Sequence, residues 1–239
     1  MRKNFFNRIL NSMSKKNDKV EVRVEGVEQA LTKAEQFIEK YQKEIIRVGG
    51  VVVAVILLYI LFQQNFLEKK KIDAAAQMFP AEQYFEAEDW ERALEGDGND
   101  LGFVDIISDY RFTPSANLAK YYAGICCLRI GEYELAISYL SKFKSKDIIL
   151  SSLALGGIGD AYAQLGDADK AINFYKKAAD SKSNDFTTPL YLLRAGILLE
   201  NEARFKEAGE LYERIKNDYA ASTEGRSIDK YIARVKNSR

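Results

Sequence analysis

LALGGIGDAYAQLGDADKAINFYKKAAD, residues 153–180, is the stretch that decides the fold. Two runs with helical spacing of apolar residues flank Gly166-Asp167. Gly159 in the first run and Ala171 in the second are small, as two closely crossing helices require. Tyr162 and Tyr175 are large and fill the gaps beside that crossing, with Leu155, Ile158 and Ala178 completing the apolar faces. Gly166 supplies the permissive backbone needed to end one helix and reverse into the next. The stretch therefore predicts a helix-turn-helix hairpin.

The same spacing recurs on both sides, so the hairpin is one unit of a series. Upstream, NLAKYYAGICCLRIGEYELAISYLSKF repeats it at an offset of 35, through Gly124, Cys127, Gly131, Ala136 and Leu140. Downstream, PLYLLRAGILLENEARFKEAGELYERI repeats it at 37, through Gly196, Leu199, Ala203, Ala208 and Tyr212. These positions resemble the tetratricopeptide repeat, and clear copies cover about residues 115–220. A fourth, degenerate hairpin is read in IDAAAQMFPAEQYFEAEDWERALEG, where Ala81, Tyr84, Trp90 and Ala93 match. Its second helix is expected to break at a flexible polar loop, GDGNDLG (residues 96–102), before FVDIISDY resumes as a short helix or connector. A last helix over 228–235 is expected to cap the stack, whose terminal repeat otherwise exposes an apolar face. The fold class is thus all-α: one transmembrane helix, then a repeat domain (68–239) forming an α-solenoid of three clear hairpins and one degenerate hairpin.

The transmembrane reading rests on VGGVVVAVILLYILFQQNFL, residues 48–67, in which no charged residue occurs between Arg47 and Glu68. Twenty residues at about 1.5 Å per residue match the roughly 30 Å hydrocarbon core of a bilayer. Residues 1–47 form a basic tail. Its first part is irregular, and from Gly26 an amphipathic helix runs toward Arg47, suited either to the membrane surface or to docking another membrane protein. The tail is too long for a cleaved signal peptide, so residues 48–67 read as an uncleaved signal anchor. The tail holds 11 Lys/Arg against 7 Asp/Glu, which favours its retention on the cytoplasmic side; Lys69, Lys70 and Lys71 on the far side oppose that bias. The expected placement is a single-pass protein of a bacterial inner membrane, tail in the cytoplasm and repeats in the periplasm.

Residues 68–239 carry 24 Lys/Arg against 28 Asp/Glu, and this acidic balance argues against nucleic acid as a partner. The chain has no histidine, which removes the commonest general base and metal ligand together. There is no Gly-rich phosphate loop and no Ser-x-x-Lys, so no catalytic residue, small-molecule substrate or cofactor is expected. Cys126 and Cys127 are adjacent and read as small apolar helix residues; a disulfide between them would be strained. Asp97, Asn99, Asp100 and Asp105 offer oxygen ligands but lack the spacing of a calcium loop, so no metal site is expected.

In stacked helical hairpins the first helices line a concave face. The repeat phase places Leu118, Tyr121, Ile125 and Arg129 there from the first clear copy. Leu153, Asp160 and Gln164 follow from the second, and Leu190, Leu193, Ile197 and Asn201 from the third. Such a lining, apolar and aromatic with one Asp, does not suit a carboxylate clamp. It suits an apolar helix or an extended, unfolded segment.

The order of parts, a short basic tail, one signal anchor and a helical repeat domain, resembles the YfgM-like membrane proteins, ancillary subunits of the bacterial SecYEG translocon. The resemblance implies a non-catalytic, membrane-anchored adaptor whose groove binds translocon subunits, periplasmic chaperones or exported chains and assists hand-over to folding factors. The broken hairpin around residues 96–102 departs from the repeat pattern and puts the first repeat's partner surface in doubt. Two other readings fit the same residues: a membrane-tethered scaffold for envelope assembly, and a receptor with repeats facing the cytosol.

Overall fold

The computed structural model describes residues 40–44, 46–61 and 67–238. The irregular tail, most of the amphipathic segment before residue 40 and the end of the apolar stretch at 62–66 lie outside the described residues. The chain divides into two units, residues 1–64 and 65–239.

In the first unit, helix α1 (Lys40–Leu61) runs unbroken past Arg47, has a mean hydropathy of 2.3 and buries none of its apolar side chains. By length and composition it is able to cross a membrane.

Among the described residues, the regular structure of the second unit is helical, apart from one isolated bridge between Gly96 and Leu101. Its helices are α2 (Glu68–Glu86), α3 (Trp90–Glu95), α4 (Phe103–Asp109), α5 (Pro114–Ile130), α6 (Tyr133–Lys142), α7 (Ile148–Gln164), α8 (Ala168–Asp180), α9 (Thr187–Asn201), α10 (Phe205–Asp218) and α11 (Asp229–Asn237). They pair as hairpins α2/α3, α5/α6, α7/α8 and α9/α10, and each second helix packs on the next first helix.

One turn geometry recurs in all four hairpins. Glu88, Gly131, Gly166 and Ala203 have positive φ, of 59°, 89°, 77° and 56°. In each case the next amide donates back five residues, Asp89 to Tyr84, Glu132 to Cys127, Asp167 to Tyr162 and Arg204 to Leu199, at 2.8–2.9 Å. That pattern closes a helix with a left-handed residue and satisfies a terminal carbonyl. The degenerate hairpin turns in the same way with a glutamate at the left-handed position. The following helices begin under side-chain caps where the sequence offers them: Asp89 accepts from the Arg92 amide and Asp167 from the Lys170 amide. Thr113 and Asp147 cap the first helices α5 and α7.

Within each clear hairpin a first-helix glycine lies under a large side chain of the second helix. A methyl group built on Gly124 would lie 2.5 Å from Leu140, on Gly159 2.7 Å from Tyr175, and on Gly196 2.3 Å from Tyr212. The core is correspondingly built from alanines (Ala119, Ala123, Ala136, Ala171, Ala195 and Ala208 are wholly buried) interleaved with Leu140, Ile158, Tyr175, Leu192, Leu199 and Tyr212.

The 96–102 loop is ordered, against the expectation of a flexible one. Asp97 accepts from the amides of Asn99 (2.9 Å) and Asp100 (2.8 Å) and from the Tyr84 hydroxyl (2.9 Å). These bonds hold its carboxyl below the usual range, the Asp100 amide first. A Cβ on Gly96 would meet the Asp100 carbonyl at 2.3 Å, so only glycine fits this closure. The short α3 and α4 together do the work of one second helix, since both pack on α5. The cap at the far end is α11, entered through a 3-10 turn at Gly225–Ser227, and Ile228, Ile232 and Val235 bury its apolar face. It runs two residues beyond the expected 228–235.

Candidate protein-binding groove

First helices stand side by side, α5 beside α7 and α7 beside α9, so residues at equal repeat positions form rows across them. Of the sequence-predicted lining residues, Arg129, Gln164 and Asn201 are exposed, whereas Leu118, Tyr121, Ile125, Asp160, Leu193 and Ile197 are half-buried. Leu118 packs on the N-terminal core, and Tyr121 and Ile125 on the small central cluster of Leu140, Ala154 and Ile158. Leu153, Leu190 and Leu193 pack on the C-terminal core. These side chains therefore divide their surface between the core beneath and solvent above.

Aromatic rings continue the row toward α2. Phe85 lies edge-on to Tyr122 (centroids 4.9 Å apart), Tyr122 stacks on Phe103 (5.0 Å) and Tyr121 contacts both Tyr122 (5.8 Å) and Phe143 (5.4 Å). Arg129 lies over the Trp90 ring at 5.6 Å. Burial pushes the Tyr121 and Tyr122 hydroxyls up, so both are neutral donors at physiological pH.

The middle of the row is narrow because α7 carries Gly156 and Gly157. Tyr191 of α9 closes on Gly156, where a Cβ would lie 2.0 Å from its ring. Leu140, Leu128 and Ile125 close on Gly157 from the other side. Both glycines admit a neighbouring element and leave no side chain of their own.

Sequence reasoning missed the charged pairs that tie the row together. Asp160 accepts from Tyr175 (2.8 Å) and from Arg194 (2.5 Å), which comes from the next first helix. One repeat further on, Glu200 accepts from Tyr212 (2.7 Å) and takes two bonds from Arg234 of the cap, 2.8 and 2.5 Å. Burial first, and then the adjoining carboxylates, push both tyrosine hydroxyls far above the ordinary range. Arg234 holds Glu200 below its ordinary value. A third pair, Asp180–Arg214, spans α8 and α10. All three pairs are acid at i and Arg at i+34, and Asp169–Arg204 is the same device at i+35. That spacing is close to the repeat offsets of 35 and 37, so acid-to-Arg separations near one repeat were the signal available in the sequence.

Cys126 and Cys127 are free and buried in the N-terminal core, and burial pushes their thiols up to about 12 and about 11. Neither is a thiolate near neutrality, so both act as small apolar core residues. Among the described residues, no group of three or more Cys, Asp or Glu could hold a metal ion.

A tetratricopeptide repeat family model matches residues 154–189, the central hairpin and the start of α9. No curated protein sequence matches the chain. Among solved structures, one described as Podosopora anserina kinesin light chain nearly identical TPR-like repeats aligns with a TM-score of 0.50. It shares 12% identity over 69% of this chain and 85% of its own. With the four recurring turns and the glycine crossings, these likenesses give residues 68–238 their fold: an all-helical, tetratricopeptide-like solenoid.

Proposed function

We propose that the chain is a non-catalytic, membrane-anchored adaptor. Its groove binds protein partners or exported chains near the protein-export translocon and assists their hand-over to periplasmic folding factors. The observation that carries the binding role is the row of half-buried Leu118, Tyr121 and Ile125 on α5, Leu153 on α7, and Leu193 and Ile197 on α9, across three adjacent first helices. Apolar groups held half in solvent on a rigid helical face recover free energy when a partner covers them, roughly 25 cal/mol per Å². Arg194 and Arg234 are already engaged by Asp160 and Glu200, so the lining favours apolar segments over free carboxylates. The anchoring role rests on α1, and the translocon setting on the resemblance in the order of parts.

A photocrosslinker placed at Tyr121 or Ile197 of the full chain in its membrane is expected to trap translocon subunits, chaperones or exported chains. Adducts confined to cytosolic proteins would overturn the periplasmic setting. Protease protection in spheroplasts reads the orientation separately. Release of the chain by alkaline carbonate would remove the anchor.

A further inference from the structure

Paired helices run antiparallel, so turns within hairpins lie at one edge of the repeat domain and connections between hairpins at the other. The two edges differ in charge. Turns within hairpins (87–89, 131–132, 165–167 and 202–204) carry Glu88, Asp89, Glu132, Asp167 and Glu202 against Arg204 alone. Connections between hairpins (110–113, 143–147 and 181–186) carry Arg111, Lys144, Lys146 and Lys182 against Asp147 and Asp185. Asp147 is engaged in capping α7, and none of the four cations forms an ion pair among the described residues. Large apolar side chains stand out of the same edge. Phe112 is 75% exposed and Phe186 63%, and Ile148 and Ile149, which open α7, are exposed as well. These connections are also joined to one another. Asn117 in the first turn of α5 donates to the Lys144 carbonyl (2.7 Å) and accepts from its amide (3.2 Å), and Lys182 donates to the Lys146 carbonyl.

The start of α2 belongs to this edge and says what lies against it. Lys70, in the first turn of α2, donates to the Asp109 carbonyl (3.2 Å) and lies over the Tyr110 ring, next in the chain to Arg111 and Phe112. Residues 62–67 alone separate α1 from α2, a tether of at most about 20 Å. A chain leaving a bilayer through α1 therefore enters the repeat domain at its basic, apolar-tipped edge. Exposed aromatic and aliphatic tips interleaved with Lys and Arg suit the headgroup region of a bilayer, where rings sit at the interface and cations meet lipid phosphates. We infer that this edge rests on an anionic lipid surface. Phe112, Ile148, Ile149 and Phe186 enter the headgroup layer, and Arg111, Lys144, Lys146 and Lys182 face the phosphates. The inference rests on the membrane-spanning role proposed for α1. The acidic turns at the opposite edge are repelled by the same surface, which fixes the orientation. A fourth connection (219–228) adds Glu224 and Arg226 but no exposed large apolar side chain, so the contact ends at the third.

The test reconstitutes the full chain in vesicles of phosphatidylcholine with an equal part of phosphatidylglycerol, and in phosphatidylcholine alone. A fluorophore is attached at Ser183→Cys, in the third connection, which the tether by itself does not bring to lipid, or at Glu202→Cys in an acidic turn. The buried native cysteines stay unlabelled. A nitroxide on the lipid headgroup is expected to quench the Ser183→Cys label at least about threefold more than the Glu202→Cys label in the anionic vesicles. That excess should fall in phosphatidylcholine alone and in high salt. Phe112→Ser with Phe186→Ser, or Lys144→Glu with Lys146→Glu, should abolish it, and circular dichroism checks that each variant remains folded. A label at Leu57→Cys, quenched by a nitroxide deep in the acyl chains, reads the span separately. Quenching at Leu57→Cys with no excess at Ser183→Cys overturns the edge contact and leaves the span standing. The reverse pattern overturns the span and leaves the contact. An excess that survives the charge reversal would also overturn the inference, as would a photocrosslinker at Ser183 that yields protein adducts and no lipid adducts in native membranes.

Discussion

Arg234→Ala tests whether the cap is held by the device that joins the repeats. Glu200 is 9% exposed at its side chain and Arg234 is 55% exposed, so the pair lies between a buried and a surface bridge. Breaking a buried pair costs about 3–5 kcal/mol and an exposed one about 0–1. Two charge-assisted bonds on a nearly covered carboxylate, discounted for the solvated guanidinium, put the loss near 2 kcal/mol. For a unit of this size each kcal/mol moves Tm by about 2–4 °C, so the variant should melt about 4–8 °C lower by circular dichroism. Glu200→Gln in both backgrounds closes a double-mutant cycle, with an expected coupling of at least about 1 kcal/mol. The sign with pH follows from the depressed Glu200 carboxyl: its contribution is present above the unfolded value, near 4.5, and is lost as pH falls through the lower folded value. The Tm difference between parent and Arg234→Ala should therefore shrink below about pH 4.5. A variant melting within 1 °C of the parent at neutral pH, or a difference that grows in acid, would refute the reasoning.

Gly196→Ala should destabilise by about 1–2 kcal/mol, although alanine favours helices by about 1 kcal/mol, because its methyl meets the fully buried Tyr212 ring; chemical denaturation checks this. Ala203→Gly should stabilise by about 0.5–1 kcal/mol by removing a left-handed alanine at the third clear turn, measured the same way. Asp97→Ala should open the 96–102 loop to limited proteolysis while leaving the overall helix signal unchanged, since that carboxylate holds three donors in place. Cys126 and Cys127 should resist maleimide at pH 8 in the folded chain and react once denaturant is added.

The hairpins were legible because their constraints are local or strictly periodic. Gly166 and Gly131 announce turns, and Gly124, Gly159 and Gly196 announce close crossings, each at a repeat-length spacing. The degenerate hairpin was legible from Ala81 and Ala93, but its loop was misread. GDGNDLG is polar and glycine-rich, and only the geometry brings the Tyr84 hydroxyl and two amides onto Asp97. Asp160 was read as a lone acid of the lining for a similar reason. Its partners, Tyr175 and Arg194, lie 15 and 34 residues away, and a single periodic reading of apolar positions passes over them.

By itself, the sequence determined an all-helical repeat, its three clear hairpins and an apolar stretch able to cross a bilayer. Small and turn-forming residues carry that information in their spacing along the chain. Only the tertiary structure decided how neighbouring repeats are locked, which polar groups of the lining are already engaged, and which end of the solenoid is closed. Those properties belong to side chains that meet across helices, where distance in space and separation in sequence no longer correspond.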